Sequence, residues 1–272
     1  MIRLALRVRR ADAEVVLAEL LELAPNGVEE TDEGEVVEYA VYGAPGELPA
    51  LPDLRAAAGE AFVDVTTEEI PDDWFDGWKD FHRPIEVGGR LRVRPPWDSS
   101  PPPRGVQDIE IDPGQAFGTG SHHTTKLCLE LMLELEPAGP FADLGCGSGV
   151  LAIAAAKLGF APVAAVDHEL PAVAAASENA RANGVQLTVA RCDLRRDELP
   201  AAATIVANLL RPLLLIVAER LDPDAGPRTL IASGLLREET GEVSAAFAAR
   251  GLTERDRREA GEWATLLLRQ EG

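Results

Sequence analysis

Cysteine is scarce. Cys128, Cys146 and Cys192 are the three in 272 residues, odd in number, widely spaced and without a C-x-x-C pair. That excludes a disulfide framework and provides no zinc-binding pattern. Basic residues are also in deficit, 26 Lys and Arg against 46 Asp and Glu, for a net charge of −20. Neutralising phosphates takes Lys and Arg, so direct nucleic-acid binding and anionic membrane surfaces are both disfavoured, and a cationic partner is favoured. An acidic surface also serves solubility alone. No apolar run approaches the ~20 residues of a membrane span. The opening segment is charged and alternating, without the apolar core of a signal peptide. These absences point to a cytoplasmic protein.

The length suggests two domains, each able to bury a core. Ile2, Leu4, Leu6 and Val8 alternate with Arg3, Arg7 and Arg9, as in a half-buried strand. Asp12 can cap a helix running to Leu23, and Asn26-Gly27 marks a turn. Strands follow at Val28–Thr31 and Glu35–Tyr42 around the turn Asp32-Glu33-Gly34, then a helix from Pro52 to Ala61 and a strand from Phe62 to Thr67. The order β-α-β-β-α-β is that of the ferredoxin-like plait. Residues 1–70 hold 5 basic and 16 acidic residues, a charge of −11, whereas the other 202 hold −9. With this acidity and no chemical motif, 1–70 is read as a substrate-recognition domain.

Residues 71–82 form the linker, in which Trp74, Trp78 and Phe81 fall on one face of a short helix. Gly77 weakens that helix by roughly 1 kcal/mol. Packing of the linker is its plainer role. In 83–272, Leu91–Arg94 reads as a strand and Asp98–Arg104 as an exposed Pro/Ser-rich loop. From Phe141 onward strands at 141–144, 162–166, 186–191, 204–208 and 228–232 alternate with helices at 150–158, 170–182, 212–221 and 238–249. A final pair near 252–258 and 263–269, joined at Gly261-Glu262, suits antiparallel pairing at one edge. The expectation is a Rossmann-like doubly wound α/β domain preceded by a small α+β domain.

The chemistry centres on Asp143-Leu144-Gly145-Cys146-Gly147-Ser148-Gly149, a Gly-rich turn between strand and helix. Glycine there allows positive φ and leaves no Cβ against a ligand. Asp167 ends the next strand, 22 positions after Gly145, where an acidic residue can hold ribose hydroxyls. The glycines run G-x-G-x-G, and a pyrophosphate binder would show G-x-G-x-x-G. An adenosine without phosphates fits better, S-adenosylmethionine (SAM) before NAD. A bare βα turn with a surface aspartate is the competing structural reading.

Two further constellations stand out. Asp112 to Thr125 (DPGQAFGTGSHHTT) is a glycine-rich loop before a helix read as Lys126–Leu135. His122 and His123 invite a metal, but neighbours on an extended segment point apart, and no Cys or carboxylate sits at ligand spacing. No metal is expected. Asn208 ends the fourth strand, at the carboxyl edge where ligands bind, and offers one acceptor and two donors. A plain helix-flanking asparagine is the alternative.

In combination these segments resemble the bacterial ribosomal protein L11 methyltransferase (PrmA) family, built on a class I SAM-dependent fold. Asp73-Trp74 with Trp78, Asp112 to Thr125, Asp143 to Ala155, Asp167, Asn183-Gly184-Val185 and Ala207-Asn208-Leu209 carry the likeness. It runs from about Asp73 to Trp263, and the Asp112–Thr125 stretch is its most specific part. Three positions depart from the family pattern: His123 stands for a proline, Asp167-His168-Glu169 for Asp-x-Asp, and Arg211-Pro212 follows Asn208-Leu209-Leu210. The resemblance implies that Thr125, Gly145, Gly147, Asp167 and Asn208 hold SAM. It also implies an enzyme that modifies lysine side chains and the N-terminal α-amine of large-subunit ribosomal protein L11. The chemistry of methyl transfer adds Asn208 as an orienter of the acceptor amine and Phe117 facing the methylated cation, and a monomer is expected. Another protein lysine or a small-molecule amine as acceptor, or a silent SAM-binding adaptor, are the alternatives.

Overall fold

Leu4, Leu6 and Val8 turn inward along β1 (Ile2–Arg9), while Arg3 and Arg7 share the opposite face. The computed structural model describes residues 2–13, 16–17, 20, 28–32, 34–43, 48–49, 51–69, 83–112, 123–222 and 226–270. It divides into two compact units, Met1–Phe81 and His82–Gly272. In the first, β2 (Glu29–Asp32), β3 (Val36–Gly43) and β4 (Phe62–Glu69) join β1 in an antiparallel sheet of order β2-β3-β1-β4. β3 runs antiparallel to both β1 and β2, so those two point the same way with β3 between them. That is a split βαβ arrangement, with residues 13, 16, 17 and 20 helical between β1 and β2. Val16, Leu20, Tyr39 and Leu54, the last on α1 (Leu51–Ala58), close the core over the sheet. The Tyr39 hydroxyl donates to the Ala13 carbonyl at 2.9 Å. The linker expected at 71–82 lies outside the described residues.

The arginines of β1 have a structural use. Arg3 and Arg7 donate to the two Glu38 oxygens at 2.5 and 2.7 Å, and these bonds hold the Glu38 carboxyl below its usual range. Among the described residues of this unit, Asp12, Glu35, Asp64 and Glu68 are exposed, as are Arg9, Arg10 and Arg55.

The second unit opens with a three-stranded sheet of β5 (Ile85–Val87), β6 (Leu91–Arg94) and β7 (Gln107–Glu110). Only β6 is legible in the sequence, because its Leu91-Arg92-Val93-Arg94 alternates apolar and charged residues, whereas Gln107–Glu110 of β7 holds a single apolar residue and β5 is 3 residues long. The following α2 spans His123–Met132. It starts three residues earlier than the spacing predicts, so His123, Thr124 and Thr125 belong to the helix rather than to an extended loop.

The large sheet contains β8 (Phe141–Leu144), β9 (Val163–Asp167), β10 (Thr188–Arg191), β11 (Thr204–Asn208), β12 (Thr229–Leu236), β13 (Leu252–Ala260) and β14 (Trp263–Gln270). Its order is β10-β9-β8-β11-β12-β14-β13. Every pairing is parallel except those of β14, which runs antiparallel to both β12 and β13. The final hairpin pairs antiparallel at one edge, as expected, with β14 beside β12 and β13 outermost. Its residues explain why. Ala264 to Leu268 are all buried, whereas β13 alternates with charged residues.

Successive residues of the central strands enter different cores. Phe141, Val206, Ile231 and Leu267 join one apolar cluster with α3 (Val150–Leu158) and α4 (Leu170–Ala182). Their neighbours Ala142, Ile205, Leu230 and Leu266 join another with α5 (Arg211–Arg220) and α6 (Thr240–Ala248). A period of two with both faces apolar makes a doubly wound sheet. The chain leaves β8 for β9 on one side and returns as β11 on the other, so a crevice opens at their carboxyl ends.

Candidate active site

Gly145, Gly147 and Gly149 all have positive φ, at 74°, 50° and 80°. The turn is stitched to the next strand, since Gly145 and Cys146 both donate to the Val166 carbonyl, at 2.8 and 3.0 Å. A Cβ at Gly149 would lie 3.0 Å from that of Ala176, so this glycine also lets α4 close against the turn. Asn179 of α4 completes the frame. It donates to the Ser148 carbonyl at 2.9 Å and accepts from the Asp112 backbone N–H at 3.1 Å. One turn on, Asn183 accepts from the Glu110 N–H and donates to its carbonyl, at 2.9 and 2.6 Å. Two asparagines thus fix where the chain enters the DPGQAFGTG stretch. Residues 113–122 of that stretch, including Phe117 and His122, lie outside the described residues.

Asp167 sits at the mouth of the crevice, its Oδ2 accepting from the Gly147 N–H and its Oδ1 from the Glu169 N–H, both at 3.0 Å. A carboxylate has about four lone-pair positions, which leaves acceptor capacity for a pair of hydroxyls. Beneath the turn, Asp143 is 1% exposed. Its Oδ2 accepts from the Ala152 N–H at 3.0 Å, while Oδ1 is buried with no partner. Burial pushes its pKa up to about 7, the Ala152 bond opposing and the charge of Asp167 adding. Thr125 is buried as well, with an unpartnered Oγ1.

The facing wall comes from β11 and β12. Asn208 is half-buried in register with Ser233, whose carbonyl accepts from the Leu209 N–H at 2.9 Å. Among the described residues nothing hydrogen-bonds the Asn208 side chain. Between Ala232 and Leu235 the register with β14 shifts, and Gly234 occupies that bulge at φ 81°. Arg211 turns away from the cleft: it donates to Glu239 at 3.2 Å and Glu242 at 2.6 Å. The departure from the family pattern at that position therefore puts no cation into the cleft, whose wall it reaches only through Pro212.

These walls enclose about 700 Å³, within the ~300–1,000 Å³ of small-molecule sites. Thr124, Gly145, Gly147, Asp167 and Asn208 line it, whereas Thr125, the next residue of α2, is buried and does not. Asp193 and Trp263 also line it and escape a reading of the sequence alone. Asp193 follows β10 much as Asp167 ends β9, a signal that could have found it. Trp263 reaches the carboxyl edge because β14 runs backwards, which only the pairing reveals.

The residues fit SAM. Asp167 retains open acceptor positions, and the glycines remove Cβ atoms from the floor. The description "Ribosomal protein L11 methyltransferase (PrmA)" matches residues 47–271. This chain belongs to that family. It is 37% identical over 260 residues to the ribosomal protein L11 methyltransferase of Geobacter metallireducens, covering 91% of this chain and 86% of the relative. It is also 37% identical over 218 residues to that of Caldanaerobacter subterraneus subsp. tengcongensis, covering 77% and 69%. The crystal structure of a ribosomal protein L11 methylase from Lactobacillus delbrueckii subsp. bulgaricus aligns with a TM-score of 0.63 at 32% identity, over 70% of this chain and 100% of that one. As a PrmA-family member the protein is a SAM-dependent methyltransferase on a class I fold, an enzyme.

Proposed function

We propose that the protein methylates amino groups of large-subunit ribosomal protein L11, lysine side chains and the N-terminal α-amine, with Asn208 and Phe117 facing the acceptor. The observation that carries this reading is the neutral amide of Asn208 across the crevice from Asp167 and the glycine turn. SAM, when bound, supplies a methyl group on a positively charged sulfur. An amine accepts it only through a free lone pair. At pH 7 deprotonation costs about 4.6 kcal/mol for a lysine and about 1 kcal/mol for an α-amine. An anion beside the amine would raise that cost, and a neutral amide oxygen accepting its N–H does not. Asn208 thus orients the acceptor without binding it as the cation, and Phe117 can face the charge that appears on transfer. No side chain is assigned as general base, and water takes the proton before docking.

Residues 1–70 serve as the recognition domain, and 71–82 as the connector to the SAM-dependent domain at 83–272. Support comes from the charge of −11 over residues 1–70, which suits a cationic ribosomal protein. With its acidic charge the protein binds no nucleic acid directly, and it acts as a cytoplasmic monomer. No described helix is long and apolar enough to cross a membrane. The deciding experiment is incubation with methyl-labelled SAM and unmodified ribosomal proteins, followed by mass mapping. Label on amines of the L11 protein is expected. Label elsewhere, or none, overturns the reading.

A further inference from the structure

Leu209 sits in a space that two glycines leave open. A Cβ on Gly145 would fall well inside contact with Leu209 Cδ2, and nothing else approaches it except Leu209 Cγ at 3.5 Å. A Cβ on Gly234 would lie 2.5 Å from the Leu209 carbonyl oxygen and 3.0 Å from its nitrogen. The side chain thus plugs the turn after β8 while the backbone lies against the bulge of β12. Its N–H is held by the Ser233 carbonyl at 2.9 Å. Leu210, the next residue, is 71% exposed, whereas Leu209 is half-buried and also lines the cleft. Gly145 is therefore open toward a residue of the chain itself, as well as toward a ligand.

The geometry points to Leu209 as a positioning residue that locks Asn208 and the cofactor turn into one unit. The β8–β11 ladder already pairs Ala207 with Leu144, and the Leu209 side chain carries that tie past the strand ends to Gly145. Asn208 precedes the plug and Gly145 receives it, so the acceptor-side amide and the cofactor floor move together or not at all. Truncating this half-buried side chain removes its contact with Gly145 and widens the cleft, so that both sides can drift. Displacements of about 1 Å at a reacting centre cost ~10²-fold in rate. This inference rests on the reading of Asn208 given above.

The test uses the full chain with Leu209→Ala, Leu209→Val in case the alanine variant does not fold, and Leu209→Met, which keeps the volume. In the absence of SAM, amide hydrogen exchange of residues 145–147 should speed up about tenfold in the truncated variants. Affinity for SAM by calorimetry should fall less than tenfold, and kcat ~10²-fold, with KM for the ribosomal protein unchanged. Leu209→Met should restore kcat. Gly234→Ala, which pushes on the Leu209 backbone, should reproduce the kcat loss, and combining it with Leu209→Ala should be less than additive. Folded truncated variants with wild-type exchange and kcat would overturn the lock, as would full additivity. Asn208→Ala, run in parallel, separates the two claims. If it alone lowers kcat, the lock fails. If it leaves kcat intact, the reading of Asn208 fails, and exchange and SAM affinity judge the lock.

Discussion

The two units treat their polar groups in opposite ways. In the first, the inward charges are consumed: Glu38 takes both Arg3 and Arg7, and its carboxyl is held in the ionised form. In the second, Asp143 and Thr125 are buried with an oxygen each unpaired, and Asp143 is pushed toward its neutral form. A buried polar atom without a partner costs about 1–3 kcal/mol, and a fold bears that cost where a ligand or the chemistry repays it. The first unit therefore pairs its inward charges, and the second leaves two buried oxygens unpaired.

Removing the first unit breaks the comparison most directly. With residues 1–70 deleted, SAM binding should survive, because every residue placed at the cofactor lies at Thr124 or beyond. Methylation of the ribosomal protein should fall ~10²-fold or more, since docking energy remote from the amine is what positions it. A truncated protein that folds, binds SAM and keeps full activity would reduce the acidic unit to a stabilising appendage.

Within the second unit, Asp167→Ala should weaken SAM by roughly 2–4 kcal/mol in calorimetry. Two losses combine: the acceptors for hydroxyls, and the latch on the Gly147 N–H. Asp167→Asn keeps an acceptor for that latch and should fall between the two. Equal affinity in all three proteins would remove Asp167 from the site.

Asp143 offers a smaller, pH-dependent effect. Its folded pKa, about 7, lies above its ordinary value, so on raising the pH the unfolded chain loses the proton first. Stability without SAM should then decline from about pH 4 to pH 7. Asp143→Asn cannot titrate and still accepts from the Ala152 N–H. Relative to the native protein it should gain about 1–3 kcal/mol between pH 4 and pH 8 in thermal melts. A constant difference across that range would mean that the buried carboxyl is not raised.

The least effect sharpens the recognition half. Raising salt from about 0.01 to 0.15 M shortens the screening length from about 30 to 8 Å. Methylation of the ribosomal protein should slow severalfold while SAM affinity stays level. Rates insensitive to salt would assign docking to apolar contacts.

Local pattern was enough for much of this. The Gly145–Gly149 turn, Asp167 and Asn208 each sit at a strand end, so period and spacing place them at one edge of a parallel sheet. The alternation of β1 and the doubly apolar runs of β8, β11 and β12 declare which strands have one buried face and which have two. The family likeness in the Asp112–Thr125 stretch pointed to the same cleft. What spacing could not carry is pairing across distance. That β14 inserts antiparallel beside β12, bringing Trp263 to the cleft, depends on which strand buries more apolar surface. That Arg211 turns to Glu239 and Glu242, and that Leu209 fills the space above Gly145, depends on elements 28 to 64 residues apart meeting in space. A sequence sets the periods and the permitted φ angles because these are properties of neighbours. Packing is a property of surfaces that meet only once the chain has closed, and it alone decided that the acceptor side and the cofactor side of this site share a single leucine.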